Sequence, residues 1–239
     1  MGGYDDRPVN QGGSGFDPTY SMRTIATSMN LGHPVTKLDV ARYMYARPLD
    51  YTPGTAPSRY SNYGYLLASA VVEAVTGMDY FQYMSKAVLH PLDINAVRVS
   101  STIASQRAAN EAICEDENLG LSPIDLNSSA PVPAVYGGDG QIKEVAVGCA
   151  GLAASATAMV QFIHKNLVWG NGPRPANGGG WWIGRTGSTP GTSTEAASRG
   201  DGFDWAYVVN TRDWAPNTAQ TLDSLGQAID SLITSTTFP

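Results

Sequence analysis

Between Asn62 and Thr76 the apolar residues Leu66, Leu67, Ala70, Val71, Ala74 and Val75 recur at helical spacing, and beyond residue 181 that period is replaced by strand-like segments. Such a change of period within one chain segregates helices from strands and limits the fold to the α+β class. Gly77 supplies the left-handed residue that ends the first run. The strand-like segments are Trp181–Thr186, Thr192–Ser198 and Phe203–Asn210, with Gly200-Asp201-Gly202 as hairpin chemistry between the last two. A final amphipathic helix, Thr218–Ile233, places Leu222, Leu225, Ile229 and Leu232 on one face.

Other elements fit the same order. A short helix is expected near Tyr20–Met29. Another is expected over Lys37–Ala46, with Thr36 as its cap and Leu38, Ala41 and Tyr45 on one face. Asp79 caps a helix over Tyr80–Leu89 that stops before Pro91. Asn95–Ser100 reads as a short strand, Ser105–Glu111 as a short helix and Asn127–Tyr136 as loop. Ser155 caps a helix with Met159, Phe162, Ile163 and Leu167 on one stripe, and Gly170–Gly180 is a glycine-rich connection. The whole, 1–239, reads as a single domain, mainly helical over 1–168, with strands and the terminal helix over 181–239.

A net charge of −6 with four lysines in 239 residues excludes a nucleic-acid partner, whose phosphates need clustered cations, and leaves no patch for an anionic membrane. The stretch Tyr63–Val72 is far short of the roughly 20 apolar residues of a membrane span. No signal peptide is expected at Met1–Asp6, which leaves the compartment open. His33, His90 and His164 are scattered and no Cys/His spacing suits a metal, so neither metal nor cofactor is expected. Cys114 and Cys149 could pair, which spacing does not decide, and two buried free thiols are the expectation. Glu115-Asp116-Glu117 lacks calcium-loop spacing and is expected on a solvated face.

Two segments combine residues that acyl transfer needs. In Arg59-Tyr60-Ser61-Asn62 a turn feeds a helix, so the Tyr60 phenol could face a cleft where nearby cations lower its pKa for proton transfer. The Asn62 amide can donate and accept. In Gly184-Arg185-Thr186-Gly187-Ser188-Thr189-Pro190-Gly191 a strand ends in small residues against which a substrate could lie, its N–H groups facing an oxyanion. Either segment alone also fits a plain structural role, as a packed tyrosine beside a cap or as an ordinary hairpin.

Together and in this order they resemble a known family. Pro53-Gly54-Thr55, Tyr60-Ser61-Asn62-Tyr63-Gly64-Tyr65-Leu66-Leu67, Val75-Thr76-Gly77 and Pro91-Leu92 are similar to the Tyr-x-Asn region of class C β-lactamases and of their esterase and D-amino-acid peptidase relatives in the penicillin-binding-protein superfamily. Cys149-Ala150-Gly151-Leu152 and Ser155-Ala156 resemble the stretch those proteins carry before a helix, and Gly184–Gly191 resembles their third motif with its Pro-Gly turn. The resemblance implies an incomplete β-lactamase-like α+β fold and serine hydrolysis of an ester, lactam or D-amino amide. It implies Tyr60 as general base or proton shuttle, and Asn62 as the residue that orients substrate and the catalytic lysine. Arg185 would be the positive charge, the Ser188 N–H an oxyanion donor, and Thr186 and Gly187 the substrate-binding edge.

Two departures stand out. Arg185 replaces Lys or His, keeping the charge but unable to act as a base. The family nucleophile lies in Ser-x-x-Lys, yet three residues before Lys37, Lys86, Lys143 and Lys165 stand Pro34, Tyr83, Gly140 and Phe162. The expectation is a truncated fragment lacking the nucleophile, half of a split enzyme with a complementing N-terminal chain, or a non-catalytic binding protein. Missing strands would leave an open sheet edge and apolar surface, and with them a tendency to dimerise.

Overall fold

Capping decides where the main helices start. The computed structural model describes residues 2–55, 59–166, 182–212 and 222–238. Helix α1 is Met22–Ser28. Helix α2, Lys37–Tyr45, opens on a reciprocal capping box in which the Thr36 hydroxyl accepts from Asp39 N–H while the Asp39 carboxylate accepts from Thr36 N–H. Helix α3, Asn62–Thr76, starts where Ser61 accepts from Gly64 N–H and ends at Gly77 with φ +67°. Asp79 caps α4, Tyr80–Met84, which continues as a π-helical turn over Ser85–Leu89. Short strands β1 (Val97–Val99), β2 (Leu119–Leu121) and β3 (Pro131–Pro133) follow, then α5 (Lys143–Ala146) and β4 (Leu152–Ala154). Strand β1 pairs with β4, and β2 runs antiparallel to β3.

The chain folds into two compact units. The first comprises Met1–Val88, Arg98–Glu111 and Glu117–Ala153. Its core gathers Met22, Ile25 and Ala26 of α1, Val40 and Met44 of α2, Tyr63 and Leu66 of α3, and Ile142 and Ala146, with Tyr4 against them. Tyr4 meets Tyr63 edge-on and donates its hydroxyl to the Met44 carbonyl at 2.6 Å. The Arg23 guanidinium ties down the loop over 122–128 by donating to the carbonyls of Ser122, Asp125, Leu126 and Ser128.

The second unit comprises Leu89–Val97, Ala112–Asp116 and Ala154–Pro239. It contains α6 (Ala156–Asn166), the antiparallel sheet β5 (Trp182–Thr189), β6 (Thr192–Arg199) and β7 (Asp204–Val209) in that order, and α7 (Leu222–Ser235). Ala197, Trp205 and Tyr207 on the sheet pack with Val209 and with Leu225, Ile229 and Ile233 of α7. Buried Arg199 donates to Asp201 and Asp230 and to the Thr234 hydroxyl, fastening α7 to β6. These three strands and the terminal helix agree with the α+β reading.

Several local expectations change. The Leu38–Tyr45 face of α2 turns outward, since Val40 and Met44 fill the core. Much of the apolar periodicity of α3 is likewise exposed: Leu66 is buried, whereas Val71 and Val75 are 55% and 81% exposed. Ser105–Glu111 holds only a 3-10 turn, Ala104–Gln106. Asn127–Tyr136 contains β3, whose prolines cap both ends of a three-residue strand where few ladder hydrogen bonds are needed. Trp181, the connection over 170–180, Leu167 and residues 218–221 of the expected terminal helix lie outside the described residues. Among the described residues no helix is long and apolar enough to cross a membrane.

Candidate active site

In the first unit the start of α3 brings Tyr60 and Asn62 together. The Tyr60 hydroxyl donates to Asn62 Oδ1 at 2.7 Å, and Asn62 Nδ2 donates to Asp17 Oδ2 at 2.7 Å. The polarity of this chain is forced. An ionised carboxylate only accepts, so the amide must turn its NH2 to Asp17 and its oxygen to Tyr60, and the phenol must donate. Asp17 Oδ1 is itself fixed by Thr19 N–H and the Thr19 hydroxyl at 2.8 and 2.6 Å, at the start of the 3-10 turn Pro18–Tyr20.

A second carboxylate supports the same turn. Asp6 N–H donates to the Tyr60 carbonyl, and Asp6 Oδ2 accepts from Tyr63 N–H, both at 2.9 Å. Asp6 Oδ1 is buried and has no hydrogen-bond partner. Burial raises the Asp6 carboxyl to about 6, against the pull of Tyr63 N–H and with a further push from Asp17. Asp5 is fully engaged instead: Arg7 donates to it through two nitrogens at 2.8 and 2.7 Å, with Arg59 at 3.4 Å, and its carboxyl is held low mainly by the Arg7 bonds.

A cavity of about 840 Å3 opens beside these groups, lined among others by Asp6, Arg7, Asp17, Tyr60 and Asn62. Among the described residues no cation acts on Tyr60 as the sequence led one to expect. Its phenol is raised, first by burial and then by Cys149, Asp17, Tyr65 and Asp6. In this state it is a proton donor. Cys149, half-buried and free, has its thiol pushed up to about 12, chiefly by burial, which favours the protonated thiol.

The second unit holds the other sequence candidates. Arg185, Thr186 and Ser188 are exposed on β5, opposite Ala196, Glu195 and Ser193 of β6, and Gly187 faces Thr194. A Cβ on Gly187 would stand 2.8 Å from Thr194 Oγ1, so glycine permits the close approach. Among the described residues β5 pairs only with β6, which leaves its outer row of backbone groups open. Among the described residues the Arg185 guanidinium donates locally, to the Gly184 carbonyl at 2.9 Å.

The turn that closes β5 onto β6, Pro190-Gly191, is anchored by a residue expected in solvent. The Asp116 side chain is fully buried, accepting from Gly191 N–H at 3.2 Å and pairing with Arg212 Nε at 3.3 Å. Cys114, also free, lies 3.1 Å from the Thr192 hydroxyl. Glu115 and Glu117 are exposed as expected, while Asp116 between them turns inward and straps the hairpin. Among the described residues no group of three or more His, Cys, Asp or Glu could hold a metal ion.

The site residues that the sequence did not single out are Asp6 and Asp17. Asp17-Pro18 reads as turn punctuation, although Asp before Pro-Thr is also a capping pattern.

A family model described as Beta-lactamase matches residues 12–226. Among solved structures, D-amino acid amidase from Ochrobactrum anthropi SV3 complexed with L-phenylalanine is 14% identical, with a TM-score of 0.56, over 91% of this chain and 68% of that one. D-stereospecific amidohydrolase from Streptomyces sp. is 21% identical, with a TM-score of 0.53, over 85% of this chain and 62% of that one. The octameric penicillin-binding protein homologue from Pyrococcus abyssi is 16% identical, with a TM-score of 0.55, over 90% of this chain and 52% of that one. At these identities the likeness is one of fold. The chain spans less than two thirds of the length of the last two.

Proposed function

The chain belongs to the Beta-lactamase family, and on that premise we propose that it carries the proton-handling and substrate-facing parts of a serine acyl-hydrolase site whose nucleophile comes from outside these 239 residues. The observation that supports this most is the Tyr60–Asn62–Asp17 hydrogen-bond chain at the wall of the cavity. A fixed chain of this kind orients a phenol for proton transfer to and from a reacting group.

In this reading a serine Oγ supplied with its lysine attacks the carbonyl carbon of an amide, ester or lactam, and its proton passes to the base. The lysine ammonium offsets the burial that raises Tyr60, so that the phenol exchanges protons near neutral pH. Asn62 holds the phenol and a substrate amide. The Ser188 N–H receives the oxyanion, Thr186 and Gly187 flank the substrate, and Arg185 provides positive potential. The C–N or C–O bond then breaks with the leaving group protonated, and water hydrolyses the acyl-enzyme. An amide of a D-amino acid is the favoured substrate, as the names of the amidase relatives suggest. Assembly with a complementing N-terminal chain, or as a homodimer, accompanies this reading.

A second reading, ligand binding without turnover, is favoured by one observation: the raised Tyr60 pKa combined with the absence of Ser-x-x-Lys. One assay separates the two. The chain alone, and the chain mixed with an N-terminal segment carrying Ser-x-x-Lys, are tested on a chromogenic ester, a chromogenic cephalosporin and D-phenylalanine amide. Turnover only in the mixture, lost in Tyr60→Phe, supports the hydrolase. No turnover in either arm supports binding alone.

A further inference from the structure

The β2–β3 ribbon of the first unit turns an apolar face to solvent. Leu119 stands opposite Pro133 and Leu121 opposite Pro131, so these four side chains share one face. All four are exposed, the leucines by 63% and 46%. The other face is shut, because a Cβ on Gly120 would overlap the Gly138 carbonyl oxygen. An exposed apolar cluster of this kind marks a surface that something covers. Addition of a further strand is poorly served, since β3 carries proline at both ends and offers no N–H there.

The loop that joins these two strands, residues 122–130, carries Asn127-Ser128-Ser129, the acceptor pattern for N-linked glycosylation. Such a triplet is common by chance, and its setting decides what it is worth. Arg23 pins the loop through four carbonyls, and Asp125 Oδ1 accepts from Asn127 N–H and Ser128 N–H at 3.2 and 3.1 Å. Ile124 and Leu126 pack against the core, whereas Asn127 and Ser129 are exposed. Among the described residues neither the Asn127 amide nor the Ser129 hydroxyl makes a side-chain hydrogen bond. Asn127 precedes Pro131 by four residues, so at most about 14 Å of chain separates it from the apolar face.

We infer that Asn127 accepts an N-linked glycan whose first sugars cover the face formed by Leu119, Leu121, Pro131 and Pro133. The donor is a lipid-pyrophosphate-linked oligosaccharide. Asn127 Nδ2 forms a bond to C1 of its first N-acetylglucosamine and loses one proton. The C1–O bond breaks, and the lipid pyrophosphate leaves with the electron pair. The attached sugars are bulky and solubilising. The carbon-bound hydrogens of each ring also give it a less polar side that can lie on leucine and proline. The modification goes beyond the hydrolase reading and does not rest on it.

Expression of the full chain behind a secretion leader in a eukaryotic host tests the inference. The cell-associated pool is analysed beside the secreted one, so that poor export does not hide the result. The chain should run heavier than 25.3 kDa and return near that mass on treatment with an endoglycosidase that leaves one sugar. Peptide mass spectrometry should then find a single N-acetylglucosamine on Asn127. Asn127→Gln and Ser129→Ala should each abolish the shift, and Ser129→Thr should keep it. A full chain with no sugar on Asn127 in either pool overturns the inference. The cover is read on the same glycosylated chain before and after enzymatic release of the whole glycan, a comparison that needs no variant. Release should raise the binding of an apolar fluorescent dye at least about twofold. Leu121→Ser, checked for native circular dichroism, should remove most of that gain. Equal dye binding before and after release, or a gain that the folded variant keeps in full, overturns the inference as well.

Discussion

The segments around Tyr60 and around Arg185 come from the same sequence reading, yet they are built in opposite ways. Around Tyr60 every polar atom of the Tyr60–Asn62–Asp17 chain has a fixed partner, and the surroundings are acidic. Around Arg185 the side chains are exposed and bind little, while backbone pairing and a buried strap hold the strand. One region is organised by side chains, and its cations Arg7 and Arg59 are paired with Asp5. The other carries a cation and is organised by backbone. The contrast teaches that the same family pattern can preserve geometry in one place and charge in another.

Breaking each support should show the asymmetry. The largest effect is expected from Asp116→Ala, which strands the Gly191 N–H and Arg212. Thermal unfolding should show a loss of about 2–3 kcal/mol, with Asp116→Asn recovering part of it. Next is Asp17→Ala, which frees Asn62 and removes the cap on Thr19, at about 1–2 kcal/mol. In that variant amide NMR signals of Asn62 and Tyr60 should broaden or shift while those of β5 stay in place.

A smaller change of opposite sign is expected from Asp6→Asn. Because the folded carboxyl is raised from 3.8 to about 6, the native state holds its proton more tightly than the unfolded chain. The stability linked to that proton is fully present below about pH 4 and is lost as pH rises through about 6. The variant keeps an acceptor for Tyr63 N–H and removes the buried charge. It should therefore be about 1 kcal/mol more stable at pH 7, and chemical denaturation should lose its slope between pH 4 and 6. Smallest of all is Arg185→Ala, below about 0.5 kcal/mol on the same melts, because that side chain is exposed and its hydrogen bond runs to the neighbouring Gly184 carbonyl.

What the sequence made legible follows the range of the interactions involved. The end of helix α3 was readable because Gly77 acts locally, although its cap proved to be Ser61 and not Asn62, and the β5–β6–β7 order was readable because Pro190-Gly191 and Gly200–Gly202 are local turns. Which face of α2 or α3 is buried was not readable, since both carry apolar residues on more than one side. Strand β3 was hidden by its two prolines, which usually mark loops. Tyr60 and Asn62 were found through family resemblance. Asp6 and Asp17 were not, because they meet Tyr63 and Asn62 across 57 and 45 residues of chain. The buried role of Asp116 was concealed for the same reason, its partner Gly191 being 75 residues away.

The central claim is that this chain, by itself, presents Tyr60 as a proton donor in an acidic setting. The most direct test labels the tyrosine ring carbons and follows the Tyr60 signal, assigned with Tyr60→Phe, through a pH titration by NMR. The account predicts a Tyr60 pKa raised above its ordinary value of 10.0 in the isolated chain, moving downward when a Ser-x-x-Lys segment is added. A Tyr60 that titrates at or below 10.0 in the isolated chain, and ignores the added segment, would contradict it.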